Sequence, residues 1–126
     1  MKIKSIHFKT PFWGPRYVEV SLTSGAVYRI KRARKFVTVT PPCNDGERDA
    51  LGVVYKAAWE WLNKADTTAE GYTLDRGAKV ACGRLVGLLD WPEGYTLDTE
   101  ARLRYVVNKI TLSENIFQPF KPFSEL

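Results

Sequence analysis

A chain of 126 residues with a net charge of +5, 44% hydrophobic and 26% charged, has the length of one domain and the composition of a folded globule. Four Trp, six Tyr and six Phe supply enough apolar bulk to exclude disorder of the whole chain. No apolar run approaches the roughly 18–20 residues of a membrane span, and no apolar stretch follows the first lysines as a secretory signal requires.

The first third reads as strands. Lys2–Lys9 is a first strand, broken by Thr10-Pro-Phe-Trp-Gly-Pro15, where two prolines and a glycine continue neither a ladder nor a helix. Tyr17–Leu22 is β-branched and aromatic, and Thr23-Ser-Gly25 makes a tight turn. Ala26–Ile30 alternates, with Tyr28 and Ile30 on one face and Val27, Arg29 and Lys31 on the other. Phe36–Thr40 is a strand stopped by Pro41-Pro42, so the basic stretch 31–35 is expected between strands, at a hairpin end or a strand edge.

The remainder reads as helices. Asn44 or Asp45 caps a helix reaching about Ala65, with the stripe Leu51, Val54, Tyr55, Ala58, Leu62, Ala65 and with Trp59 and Trp61 widening it. A second helix is expected over Leu74–Leu89 and a third over Asp98–Ile110. Glu70-Gly-Tyr-Thr-Leu-Asp75 recurs verbatim as Glu93-Gly-Tyr-Thr-Leu-Asp98. The simplest account is a reused helix start in which Thr caps and Asp meets the positive helix end. In the tail, Phe117, Phe120 and Phe123 are spaced by three with Pro119 and Pro122 between them. That period lines one edge of a polyproline helix and suits docking, although packing on its own domain is the simpler reading. The expected fold is α+β: an N-terminal antiparallel sheet of three or four strands covered on one face by about three helices. The expected organisation is a single domain over 1–126, with a basic β part (1–41), a helical part (45–110) and an aromatic, Pro-rich tail (116–126).

Charge is sorted along this order. Residues 1–41 hold nine cations (Lys2, Lys4, Lys9, Arg16, Arg29, Lys31, Arg32, Arg34, Lys35) against the one carboxylate of Glu19, a balance of +8. The other ten cations face thirteen acids, a balance of −3. Arg29-Ile-Lys-Arg-Ala-Arg-Lys35 packs five cations into seven residues. Such density is relieved by phosphates, whose neutralisation releases counterions, or by water along an edge strand. The expectation is an anionic partner held by Arg29, Lys31, Arg32, Arg34 and Lys35, with Lys2, Lys4, Lys9 and Arg16 extending the patch. Phe12 and Trp13 are candidates to stack on unpaired bases, although core packing is the simpler account of Trp13.

Signs of catalysis are weak. The one histidine, His7, reads as a surface or half-buried strand residue, and no histidine follows Cys82 to activate it. There is no Walker loop and no G-x-G-x-x-G. Cys43 and Cys82 lack the spacing of a disulfide framework or metal site and read as reduced thiols in a cytoplasmic protein. No cofactor, metal or catalytic residue is expected. Gly77, Gly83 and Gly87 weaken the second helix. Helix crossing within the domain is their simplest explanation, and a binding face with Arg76, Lys79 and Arg84 is the alternative.

Gly77-Ala-Lys-Val-Ala-Cys-Gly-Arg84 resembles a helix near the C-terminus of many small phage and prophage accessory proteins: Gly, basic residues, apolar, Ala, any residue, small, Arg. Ala78 stands where those helices usually carry a basic residue, and the Cys-x-x-Asp-x-Phe stretch that commonly precedes them is missing. The resemblance implies a mobile-element origin and a small accessory role, often interference with a host nucleic-acid or defence machine. The leading expectation is a non-enzymatic binder of nucleic acid, or of the nucleic-acid-binding surface of a host complex, through a basic sheet edge. A small-nucleotide binder using Arg76, Lys79, Arg84 or Arg102, with its pocket at a homodimer interface, is a second reading. A protein–protein module using the aromatic tail is a third.

Overall fold

The computed structural model describes residues 2–32, 37–63, 74–112 and 116–118. Four strands, β1 (Ile3–Lys9), β2 (Tyr17–Leu22), β3 (Val27–Arg32) and β4 (Val37–Thr40), precede four helices, α1 (Asp45–Ala57), α2 (Trp59–Asn63), α3 (Arg76–Leu88) and α4 (Thr99–Leu112), and a short last strand, β5 (Ile116–Phe117). The arrangement is α+β. The sheet runs β4-β3-β2-β1-β5, and every neighbouring pair is antiparallel.

The alternation predicted for the strands sorts the two sheet faces. Ile6, Phe8, Val18, Val20, Leu22, Tyr28 and Ile30 are buried on one face, and each alternates with a partly or fully exposed neighbour. A bulge between Ile3 and Ser5 lets the exposed Lys4 interrupt this pattern. The buried face packs against the helices. Phe8 meets Trp61 of α2 edge to face at 5.1 Å, Tyr28 donates to Glu47 of α1 at 2.6 Å, and Ile3 bridges Leu89 at the end of α3.

The helices start as their caps dictate. Asn44 and Glu47 form a reciprocal capping box on α1. Asp75 accepts from the Ala78 N–H at 2.7 Å and Asp98 from the Ala101 N–H at 2.8 Å. The repeated segment is therefore a reused helix start whose aspartate caps, where Thr was expected to. The copies diverge in packing: Leu74 is buried and Leu97 is exposed. The first helix is interrupted at Ala58, yet its buried stripe continues through Ala57, Ala58, Trp61 and Leu62. The expected position Ala65 lies outside the described residues.

Two expectations change. First, β3 runs two residues past Ile30, so Lys31 and Arg32 are paired with Thr38 and Val37 inside the ladder, where a place between strands, at a hairpin end or a strand edge, had been expected. Second, the glycines of α3 do not serve helix crossing. A Cβ at Gly83 or Gly87 meets nothing within 4 Å, while Ala78, Ala81, Cys82 and Leu85 carry the buried face. The sheet also gains a fifth strand, in line with the simpler reading that the tail packs on its own domain. Phe117 pairs with Ile6 and is fully buried, so this first residue of the aromatic series belongs to the core. Phe120 and Phe123 lie outside the described residues.

Candidate nucleic-acid interface

The sheet face away from the helices carries the polar half of each strand. Register sets its residues in rows. Lys9, Tyr17, Lys31 and Thr38 form one row across four strands, and His7, Glu19, Arg29 and Thr40 form the next. Tyr17 stands between the two cations of its row. The Arg29 guanidinium lies 5.3 Å and the Lys31 ammonium 5.8 Å from the Tyr17 ring centroid, within the range of cation–π attraction. Arg29 also meets Glu19 at 3.7 Å while its side chain stays 53% exposed. An exposed pair of this kind is worth at most about 1 kcal/mol, so it does not withdraw Arg29 from an anionic ligand.

The connection between β1 and β2 leaves the sheet at the end where the Lys9–Thr38 row lies. It holds the two most exposed large apolar side chains among the described residues, Phe12 at 90% and Trp13 at 84%. Their rings meet edge to face at 5.1 Å. Gly14 follows with φ +102°, a conformation that disfavours a side chain. Core packing, the simpler expectation for Trp13, does not occur. Pro11, Gly14 and Pro15 hold this segment out of any strand, so Phe12 and Trp13 have no alternating face to bury. Arg32, exposed, ends β3 at the same end of the sheet. Arg34 and Lys35 lie outside the described residues.

The other predicted cations are elsewhere. Lys2 donates to the Gly87 carbonyl at 2.9 Å, meeting the negative end of α3. Arg16 donates to the Trp61 carbonyl at 2.8 Å and lies over the Trp61 ring at 5.4 Å, tying the loop to α2. Lys4 is exposed at the bulge, five residues before Lys9 and so roughly 16 Å along the strand from it. The +8 of the first third is therefore divided. Lys9, Arg29 and Lys31 share the outer face, Arg32 ends β3 with the opposite parity, Lys2 and Arg16 serve the fold, and Lys4 stands apart.

The helical candidates separate as well. Arg76 and Arg84 lie with Lys56 along a groove of about 480 Å³ between α1 and α3. Lys79 does not line it. Arg102 is in an aromatic cluster, 4.9 Å from the Trp91 ring centroid and donating to the Tyr95 carbonyl at 3.2 Å. Its Nε is buried with no acceptor among the described residues. The four cations of the nucleotide reading do not converge. Sequence reasoning missed Tyr17, whose aromatic ring stands at the centre of the row. Its alternation with Val18 was the available signal.

Burial pushes the Cys82 thiol up to about 11, which leaves it protonated at neutral pH. His7 stands half-buried opposite Glu19. Among the described residues no three His, Cys, Asp or Glu side chains gather as a metal-binding group, and no helix is long and apolar enough to cross a membrane. No family model, curated protein or solved structure matches this chain.

Proposed function

We propose that this protein is a non-catalytic nucleic-acid binder that takes a single strand across the outer face of its sheet. One observation carries the reading. Phe12 and Trp13 stand almost fully exposed at the end of the sheet where Lys9, Tyr17 and Lys31 form a row. Exposed aromatic rings are an unfavourable use of apolar surface unless something covers them. Unpaired bases stack on such rings while nearby cations meet the phosphates. An acidic protein surface accounts for the cations and leaves the rings unexplained. The accessory, phage-type setting, including interference with a host defence complex, rests on the likeness of Gly77–Arg84 alone.

The test is a salt titration of binding to single-stranded DNA, duplex DNA and RNA. Three phosphate contacts from Lys9, Arg29 and Lys31 give a slope of log affinity against log salt of about −2 for a single strand. Stacking is worth about 1–3 kcal/mol per base, so Phe12→Ala with Trp13→Ala weakens single-strand binding at least tenfold. Thermal stability stays unchanged, because neither ring is buried. Charge reversal of Arg32, Arg34 and Lys35 weakens binding further. Unaltered affinity in both variants refutes the assignment.

A further inference from the structure

The sheet has a second unfilled feature, on the far side of β4. This strand ends the sheet order, and among the described residues no strand pairs with its outer edge. In an antiparallel ladder, alternate residues turn their N–H and C=O groups away from the one neighbour they have. Beside that edge, between β4 and α1, lies a groove of about 440 Å³ lined by Val39, Cys43, Leu51, Gly52 and Tyr55, with Arg48 at its rim.

The groove is a stretch of core margin that no described residue covers. Leu51 is buried beneath, and Val39, Cys43 and Tyr55 pack against the core while remaining partly exposed. Arg48, Gly52 and Tyr55 are spaced to share one face of α1. Gly52 keeps that face open: a Cβ there meets no heavy atom within 4 Å. Glycine inside a helix costs stability relative to alanine, and nothing within the described fold requires it at this position.

From this arrangement we infer that β4 and α1 form a docking site for an extended segment of an acidic protein partner, which adds to the sheet as a strand. Register sets the chemistry of the occupant. Val39 pairs with the buried Ile30, so the incoming residue opposite Val39 projects to the same side and enters the groove. Its neighbours, opposite Thr38 and Thr40, project to the outer face. There β3 presents Lys31 and Arg29, the partners of Thr38 and Thr40, about 10 Å away across two strand spacings. The charged ends of both rest by the Tyr17 ring on the β2 side, and they turn toward β4 to meet the carboxylates of the added strand. Arg48 is exposed and meets no carboxylate among the described residues. Asp45 and Asp49 are its acidic neighbours on α1, and neither lines the groove. The fitting segment therefore alternates acidic and apolar residues. A second copy fits badly, because β4 reads Val-Thr-Val-Thr with no carboxylate and two-fold pairing brings the cations of both β3 strands together.

The experiment uses the full chain and two capped peptides, Glu-Val-Glu-Val-Glu and Lys-Val-Lys-Val-Lys, followed by amide NMR. The acidic peptide shifts amides in Val37–Thr40 and in α1 from Arg48 to Tyr55, and the basic one does not bind. Gly52→Leu fills the groove, raises or preserves thermal stability, and abolishes peptide binding. Lys31→Glu weakens it at least about tenfold. The two readings share Arg29 and Lys31, and two variants tell them apart: Phe12→Ala, Trp13→Ala keeps peptide binding, and Gly52→Leu keeps single-strand binding. Absence of binding at millimolar peptide, equal binding of the basic peptide, full affinity in Gly52→Leu, or a concentration-dependent dimer that Gly52→Leu dissolves would each overturn the proposal.

Discussion

Single side chains here follow from what surrounds each polar group. The Tyr28 hydroxyl donates to Glu47, and that bond, reinforced by burial, pushes the phenol from 10.0 up to about 12. A raised value favours the protonated, folded form. The stabilisation is therefore complete below the ordinary phenol range and disappears as pH climbs through the raised one. Tyr28→Phe should be less stable than the wild type at pH 7, and the gap in melting temperature should close between pH 10 and about 12. A gap that stays constant across that window would show that the bond is not the source. The pairing was invisible from spacing, since Tyr28 and Glu47 are nineteen residues apart and belong to different layers. The alternation that put Tyr28 with Ile30 was visible, because a strand offers two sides and the apolar residues take one. For Trp13 composition misled: an aromatic residue is presumed buried, but a segment held between prolines has no face to turn inward.

Elements were legible where period and punctuation agree. The strand Tyr17–Leu22 appears with the expected bounds, and the helical stripe over Leu51–Leu62 survives the interruption at Ala58. What local pattern cannot supply is the neighbour. Glycines in α3 suggested a close crossing, yet the buried face of α3 is made of Ala78, Ala81, Cys82, Leu85 and Val86, and a Cβ at Gly83 or Gly87 meets nothing within 4 Å. Both lie inside the helix without positive φ. Gly83→Ala and Gly87→Ala should therefore each add about 0.5–1 kcal/mol, measured by urea unfolding. A loss of stability would mean that something beyond the described residues sits on that face.

Across the whole molecule, the last strand closes against the first. Phe117 of β5 is fully buried beside Ile6 and meets the Tyr105 ring at 5.9 Å, while the Tyr105 hydroxyl donates to the Gln118 carbonyl. Phe117→Ala should cost about 3–5 kcal/mol in chemical unfolding, and a cost under about 1 kcal/mol would place β5 outside the cooperative core. By itself the sequence determined the α+β order, the strand alternation and the helix starts, because these depend on residues within a few positions of one another. It also determined the excess of positive charge in the first third, which is a matter of counting. Only the tertiary structure decided which of those cations share a surface. Lys2 and Arg16 were drawn to carbonyls that chain folding brought near, while Lys9, Arg29 and Lys31 were aligned by ladder register across three strands. Side-chain company is set by long-range pairing, and no local pattern of residues encodes it.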